Sequence, residues 1–136
     1  MTKKFVDDLS YRVVGAAIEV HKNLGPGLLE SVYHKCLEQE LLSRNISFHT
    51  EMAVPVIYKG VTVMTDLRCD LFVHDCLVVE LKSVERVLSV FEAQLLTYMK
   101  LLKAPKGLII NFNCFNLFND RQRTYVNEIY RILPGE

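Results

Sequence analysis

The chain has no net charge, and no apolar run long enough to cross a membrane. Its 16 basic side chains are balanced by 16 acidic ones, which argues against a strongly basic nucleic-acid binder. No stretch of about 18 apolar residues occurs, and the N-terminal MTKKFVDDLS has no apolar signal segment. We therefore expect a cytoplasmic protein that does not bind membranes.

The sequence also lacks grouped metal-binding cysteines and histidines. It contains no C-x-x-C pair, which argues against a zinc or iron–sulfur site assembled from local pairs. The four cysteines are expected to be buried free thiols, and the histidines to be structural or exposed. The histidines are spread along the chain at His21, His34, His49 and His74.

What the sequence does contain is enough apolar material for one folded domain. Half of the 136 residues are hydrophobic and 24% are charged, which is typical of a globular protein, and we expect a single domain over 1–136. The charge is unevenly distributed, with seven basic and eleven acidic side chains in 19–99 and six basic and three acidic ones in 100–136. Such a basic flank either holds a polyanion or is an ordinary solvated surface.

Hydrophobic periodicity predicts three helices. Apolar residues recur every three or four positions in 5–23, in 28–44 and in 87–102. The first two helices are separated by Leu24-Gly25-Pro26-Gly27, in which two glycines and a proline turn the chain. Between the second and third helices, 48–58 and 61–64 predict an edge-like strand and a hairpin, with Pro55 interrupting the first segment.

A second hairpin, 70–82, places ionisable residues in apolar strands. Asp70 lies near the start of its first strand, and Glu80 and Lys82 lie at the end of its second, on one face because they are two residues apart. A buried charge without a partner is costly, so this grouping indicates a bound cation and a functional site. An ordinary Glu80–Lys82 ion pair at a strand end is the alternative.

The register of this hairpin decides whether the two carboxylates can share a ligand. A three-residue loop, His74-Asp75-Cys76, would place Asp70 directly opposite Glu80, whereas a two-residue loop would place them on opposite faces. The apolar run 108–112 predicts a buried strand after the third helix, which can lie parallel to the strand before that helix. The segment 113–120 is typical of a loop, and 121–129 is compatible with either a strand or a helix.

Four short motifs, taken together, match a known family. Gly27-Leu28-Leu29-Glu30-Ser31-Val32-Tyr33 fits G-x-x-E-x-x-Y, and it is followed by Arg68-Cys69-Asp70-Leu71, Val79-Glu80-Leu81-Lys82 and Gln94-Leu95-Leu96-Thr97-Tyr98. In this order and spacing the chain resembles the GxxExxY family, a branch of the PD-(D/E)XK nuclease superfamily. The resemblance covers about residues 10–112 and does not extend past 113.

The resemblance implies a restriction-endonuclease-like α/β core, with a mixed β-sheet flanked by helices. It implies that Asp70 and Glu80 bind Mg²⁺ or Mn²⁺, and that Lys82 assists the attacking water or the scissile phosphate. Glu30 would be the acid supplied by a helix, although its place in a first helical turn is also explained by the helix dipole alone. Gln94 and Tyr98 match a Q-x-x-x-Y element that positions substrate in related branches, and they are expected, with Glu30 and Tyr33, to face the hairpin.

The resulting hypothesis is a metal-dependent nuclease acting on nucleic acid, with DNA as the expected substrate. Hard oxygen ligands without grouped histidine or cysteine favour Mg²⁺ or Mn²⁺ over zinc. The alternative is a non-catalytic PD-(D/E)XK-fold module for binding or assembly. Neutral overall charge and the lack of an added recognition domain favour that alternative, or a dependence on a homodimer or protein partner. An enzyme acting on a small phosphorylated substrate is a third option.

Overall fold

The fold is a mixed α/β arrangement around a five-stranded sheet. The computed structural model describes residues 1–117 and 122–136. It contains helices α1 (Lys3–Leu24), α2 (Glu30–Ser43), α3 (Ser89–Leu101) and the short α4 (Glu128–Arg131). The strands are β1 (Phe48–Ala53), β2 (Val56–Tyr58), β3 (Val61–Met64), β4 (Arg68–Val73), β5 (Leu77–Lys82), β6 (Lys106–Asn111) and β7 (Gln122–Val126).

The strand order in the large sheet is β1-β4-β5-β6-β7, and β2 and β3 form a separate hairpin. All neighbouring pairs in the large sheet are antiparallel except β5 and β6, which are parallel and joined through α3. This mixed sheet flanked by helices confirms the predicted restriction-endonuclease-like architecture. Within the described residues, no helix combines the length and apolarity needed to cross a bilayer.

Helices cover both faces of the sheet. On one face α1 and α2 pack through Val13, Leu37 and Leu41 against Leu81 and Leu108. On the other face Leu95 and Met99 of α3 pack against Phe72, Val78 and Ile109. Because β5 and β6 lie between these two layers, every residue from Leu77 to Leu81 and from Lys106 to Asn111 is buried.

The turn between α1 and α2 is fixed by an aromatic residue of α2. Gly25 and Gly27 have φ angles of 69° and 100°, in the left-handed region that glycine adopts at little cost. The Tyr33 hydroxyl donates to the Gly25 carbonyl and accepts from the Leu28 N–H, while its ring stacks on Phe112 at a centroid distance of 4.5 Å. The polar end of Tyr33 is thus used to hold this turn, and the expectation that it faces the hairpin site stays a prediction.

The sequence left open whether the C-terminal segment 121–129 is a strand or a helix. Residues 122–126 form the edge strand β7, and the short helix α4 follows, so both readings of 121–129 hold for part of it. Arg121 and the end of the predicted loop, 118–120, lie outside the described residues. Of the basic flank, Lys106 pairs with Asp7 at 2.8 Å and Arg123 with Glu92 at 3.5 Å, and Arg131 pairs with Glu128. These three cations are engaged within the protein, which favours the solvated-surface explanation of the flank.

Candidate metal centre

The candidate site lies where β4 and β5 separate. The strands are joined by His74-Asp75-Cys76 and pair Leu71 with Val79 and Val73 with Leu77, so that Asp70 comes opposite Glu80. The predicted three-residue loop and register are thus confirmed. His74 and Asp75 have φ angles of 54° and 55°, which gives this tight loop its left-handed turn.

The two carboxylates are tied to each other's strands. The Asp70 N–H donates to Glu80 Oε2 and the Leu81 N–H donates to Asp70 Oδ2, each at 2.7 Å. These bonds use one oxygen of each carboxylate and leave Asp70 Oδ1 and Glu80 Oε1 for other ligands. Both side chains are consequently held at fixed positions by backbone groups rather than by basic side chains.

Burial and mutual repulsion oppose ionisation here. Burial, and after it the charge of Asp70, raises the pKa of Glu80 to about 8. Burial also raises the pKa of Asp70, partly offset by the Leu81 N–H bond. Glu30 responds in the same way, since burial and then Asp70 raise its pKa. Three carboxyl groups that are costly to ionise together make a site that a divalent cation would stabilise.

Lys82 does not neutralise these acids by direct contact. Its Nζ lies 4.3 Å from the centroid of the Phe91 ring, a cation–π contact with α3. In the part of the chain that the structure describes, neither Glu80 nor Asp70 has a Lys or Arg nitrogen within 4.0 Å. The alternative of a simple Glu80–Lys82 ion pair is therefore not supported.

The positions of the remaining predicted residues follow from α2 and α3. Glu30 is half-buried at the start of α2, close enough to Asp70 and Lys82 for their charges to shift its pKa. On α3, the Gln94 side-chain amide donates to the Tyr98 hydroxyl at 2.9 Å. Burial and the charge of Glu80 raise the pKa of Tyr98, which places its hydroxyl near the site. Glu30, Gln94 and Tyr98 thus lie around the two carboxylates.

Sequence reasoning missed two residues of the site. One potential ligand atom from each of His34, Glu51 and Asp70 lies within 4.8 Å of the others. The expectation that no histidine is grouped with the carboxylates is therefore wrong, whereas the structural role expected of His34 stays a prediction. The helical spacing of Glu30 and His34, four residues apart on one face, was the available signal for His34.

Glu51 lies in β1 at a gap in the pairing of that strand with β4. Its φ angle is 51°, which is uncommon for a residue other than glycine, and the ladder with β4 lacks its pairing with Asp70. Thr50 pairs with Leu71 before the gap and Met52 with Cys69 after it. The register is the same on both sides of the gap, so Glu51 stands opposite Asp70 as it would in an unbroken antiparallel ladder. Finding it from the sequence required knowing that β1 pairs with β4.

The residues present fit a divalent cation. Asp70 and Glu80, which have no Lys or Arg partner among the described residues, offer carboxylate oxygens, and the cluster of His34, Glu51 and Asp70 adds one imidazole. Such donors suit first-row ions and magnesium. Ligands on opposite sides of such an ion are about 4.4 Å apart, twice a bond of roughly 2.2 Å. The 4.8 Å limit of the His34 cluster is close to that value, so small side-chain movements would suffice.

A larger cavity elsewhere does not have this chemistry. A volume of about 600 Å³ lies between α1 and β7, lined by residues that include Asp7, Tyr11, Arg44 and Thr124. The carboxylate of Asp7 in this cavity already has partners, because it accepts hydrogen bonds from Lys106 and Tyr130. A smaller cleft of about 190 Å³, lined by His34, Glu51 and neighbouring residues, opens instead beside the metal-ligand cluster. We therefore place the candidate site at the carboxylates.

Comparison with known families agrees with the fold and the site. The family model described as the PD-(D/E)XK nuclease superfamily matches residues 7–124. The chain therefore belongs to the PD-(D/E)XK nuclease superfamily. Comparisons with curated proteins and with solved structures found no match.

Proposed function

We propose that this protein is a metal-dependent nuclease of the GxxExxY branch that hydrolyses phosphodiester bonds in DNA. The observation that carries the proposal is the pair Asp70 and Glu80, fixed side by side by backbone N–H groups and lacking a basic partner among the described residues. Membership of a nuclease superfamily supports a nucleic acid as the substrate. These residues would hold Mg²⁺ or Mn²⁺, with Glu30 at the edge of the same site.

Phosphodiester hydrolysis needs a nucleophile and neutralisation of the phosphate charge. A divalent cation, when bound, neutralises phosphate charge and makes water more acidic. Asp70 and Glu80 would supply the negative charge that holds such a cation, and the backbone hydrogen bonds fix the positions of these two carboxylates. Glu30, whose raised pKa reflects burial and neighbouring charge, can accept a proton from water at the edge of the site.

Lys82 and Tyr98 supply hydrogen-bond donors for the substrate. The Lys82 ammonium lies on the face of β5 that also carries Glu80, and it can turn from Phe91 toward a phosphate oxygen or the attacking water. The raised pKa of Tyr98 keeps its hydroxyl protonated, so it can donate to a substrate oxygen. Gln94 donates to that hydroxyl and fixes its orientation. We assign Gln94 and Tyr98 to substrate positioning on this basis.

The test is cleavage of single-stranded and double-stranded DNA of equal sequence by the purified chain in Mg²⁺, in Mn²⁺ and in chelator. We expect metal-dependent cleavage that is lost in Asp70→Asn and retained in Asp66→Asn, an exposed aspartate just before β4. Equal cleavage by wild type and Asp70→Asn would identify a contaminant and contradict the proposal. If the wild type cuts neither substrate in either metal, a non-catalytic binding or assembly module becomes the better assignment.

A further inference from the structure

The strongest feature that the proposed mechanism does not use is the imidazole of His34. This residue is 9% exposed as a whole and lies on α2 one turn after Glu30. It is grouped with Asp70, a ligand already assigned to the metal, and with Glu51 of β1. A nitrogen donor beside two carboxylates changes which cation the site prefers.

The hydrogen bonds around His34 determine which ring nitrogen can bind a metal. Thr50 Oγ1 lies 3.0 Å from His34 Nε2 and donates its own hydroxyl proton to Glu38 Oε2 at 2.9 Å. Glu38 Oε2 also lies 3.0 Å from Nε2. Because both oxygens act as acceptors toward Nε2, that nitrogen carries the proton in the neutral ring.

The other nitrogen then carries the lone pair. His34 Nδ1 lies 3.7 Å from Glu51 Oε1, which is beyond hydrogen-bond range. An imidazole that donates one N–H to a carboxylate while its second nitrogen faces other ligands is the usual arrangement at metal sites. Here Glu38 is the carboxylate beside the first nitrogen, and Glu51 and Asp70 are the carboxylates grouped with the second.

Glu51 keeps this cluster open to solvent. Its side chain is 59% exposed, whereas that of His34 is 11% exposed, so a cation can enter from the Glu51 side through the small cleft beside α2. The register of β1 against β4 places Glu51 opposite Asp70, so the two carboxylates are cross-strand neighbours. The buried His34 and the exposed Glu51 therefore both lie beside Asp70.

We infer that His34, Glu51 and Asp70 form a cation site with a nitrogen ligand, which binds a first-row transition ion such as Mn²⁺ in preference to Mg²⁺. Imidazole suits transition ions, while Mg²⁺ is bound almost entirely by oxygen. This inference deepens the proposed function, because Asp70 belongs to both ligand sets. Glu38 acts as a positioning residue through His34.

The direct test is pulsed electron paramagnetic resonance of Mn²⁺ added to the full chain, which detects coupling to a bound ¹⁴N nucleus. We expect nitrogen coupling in the wild type, its loss in His34→Gln, and its retention in His49→Gln. His49 is an exposed histidine on the same strand as Glu51, which makes it a matched control. Absence of nitrogen coupling in the wild type would overturn the inference.

Calorimetric titration gives the second readout. His34→Gln should weaken Mn²⁺ binding by about 10- to 100-fold and Glu38→Gln by about 10-fold, with a much smaller change for Mg²⁺. Glu51→Gln removes an oxygen ligand and should weaken the binding of both ions. Equal losses for both ions in His34→Gln, or unchanged Mn²⁺ affinity in that variant, would reduce His34 to a partner of Glu38 and Thr50 and overturn the inference. Near-ultraviolet circular dichroism of each variant without metal confirms that it is folded.

The outcomes separate this inference from the proposed function. Nitrogen-coupled Mn²⁺ without cleavage of either DNA substrate would contradict the nuclease assignment and leave the His34 site in place. Metal-dependent cleavage with an all-oxygen Mn²⁺ spectrum would contradict the His34 site and leave the nuclease assignment in place.

Discussion

Glu80 accepts a hydrogen bond from the backbone N–H of Asp70 across the point where β4 and β5 separate. Asp70 returns the interaction through the N–H of Leu81. Two acids that would repel each other are thus held close together by neutral backbone donors. These donors fix the positions of the carboxylates but do not neutralise their charge. This arrangement costs stability without a cation and becomes favourable with one.

Replacing one of these acids should therefore stabilise the metal-free protein. Glu80→Gln keeps an oxygen that can accept the Asp70 N–H but removes the buried charge, so in chelator the free energy of unfolding should stay equal or rise by up to roughly 2 kcal/mol. Asp70→Asn should behave alike. Both variants should lose the stabilisation by millimolar Mn²⁺, which for a ligand at 100 times its Kd amounts to about 2.7 kcal/mol.

The measurement is thermal unfolding of wild type and both variants in chelator and in Mn²⁺, with Asp66→Asn as the matched control. A wild type that gains nothing from Mn²⁺ would argue against a metal centre. A Glu80→Gln variant that is strongly destabilised in chelator would show that the carboxylate has a structural partner.

Much of the fold could be predicted from local patterns. Residue spacing identified α1, α2 and α3, because each must bury one apolar stripe, and an odd loop length fixed the register of Asp70 against Glu80. The parallel pairing of β5 with β6 followed from the intervening helix. These features depend on residues close together in the sequence.

The parts that were missed depend on distant contacts. The place of Glu51 beside Asp70 requires the pairing of β1 with β4 in this register. The role of Tyr33 depends on its stacking with Phe112, which directly follows β6 and is far from Tyr33 in the sequence. The segment 121–129 was ambiguous because a short strand and a single helical turn are too short for their periodicity to be distinguished.

The Tyr33 hydroxyl offers a test of how the turn before α2 supports Glu30. Tyr33→Phe keeps the stacking on Phe112 but removes the bonds to the Gly25 carbonyl and the Leu28 N–H, so the free energy of unfolding should fall by about 1 to 2 kcal/mol. Tyr58→Phe, at an exposed tyrosine, should change it by less than about 0.5 kcal/mol. Chemical denaturation measures the free energy of unfolding of both variants. Equal stability of the two would show that the Tyr33 hydroxyl does not stabilise the turn.

Asp7 should make stability depend on pH. Partial burial raises its pKa, but hydrogen bonds from Lys106 and Tyr130 outweigh that effect and leave the pKa below its ordinary value of 3.8. Because the folded-state pKa is depressed, the contribution is present above about pH 3.8 and is lost as the pH falls through the folded pKa. Asp7→Asn should therefore be less stable than wild type at pH 6, and the difference should shrink below pH 3.8.

Urea denaturation of both proteins between about pH 2 and pH 6 measures this difference. Asp8→Asn is the control, because Asp8 is exposed and pairs only with Lys4 among the described residues. A gap between wild type and Asp7→Asn that stays constant over this range would mean that the Asp7 contacts do not depend on its charge.

Removing the Lys82 amine should separate metal binding from catalysis. Its ammonium contacts the Phe91 ring rather than a carboxylate, so Lys82→Ala should keep the stabilisation by Mn²⁺ almost unchanged. Cleavage of DNA should nevertheless fall by about 10²- to 10⁴-fold, because the amine acts on water or phosphate. Lys100→Ala, at an exposed lysine in the last turn of α3, should cleave like the wild type. If Lys82→Ala also loses its stabilisation by Mn²⁺, the amine is needed for metal binding. If the variant cleaves DNA at the wild-type rate, the Lys82 amine has no catalytic role.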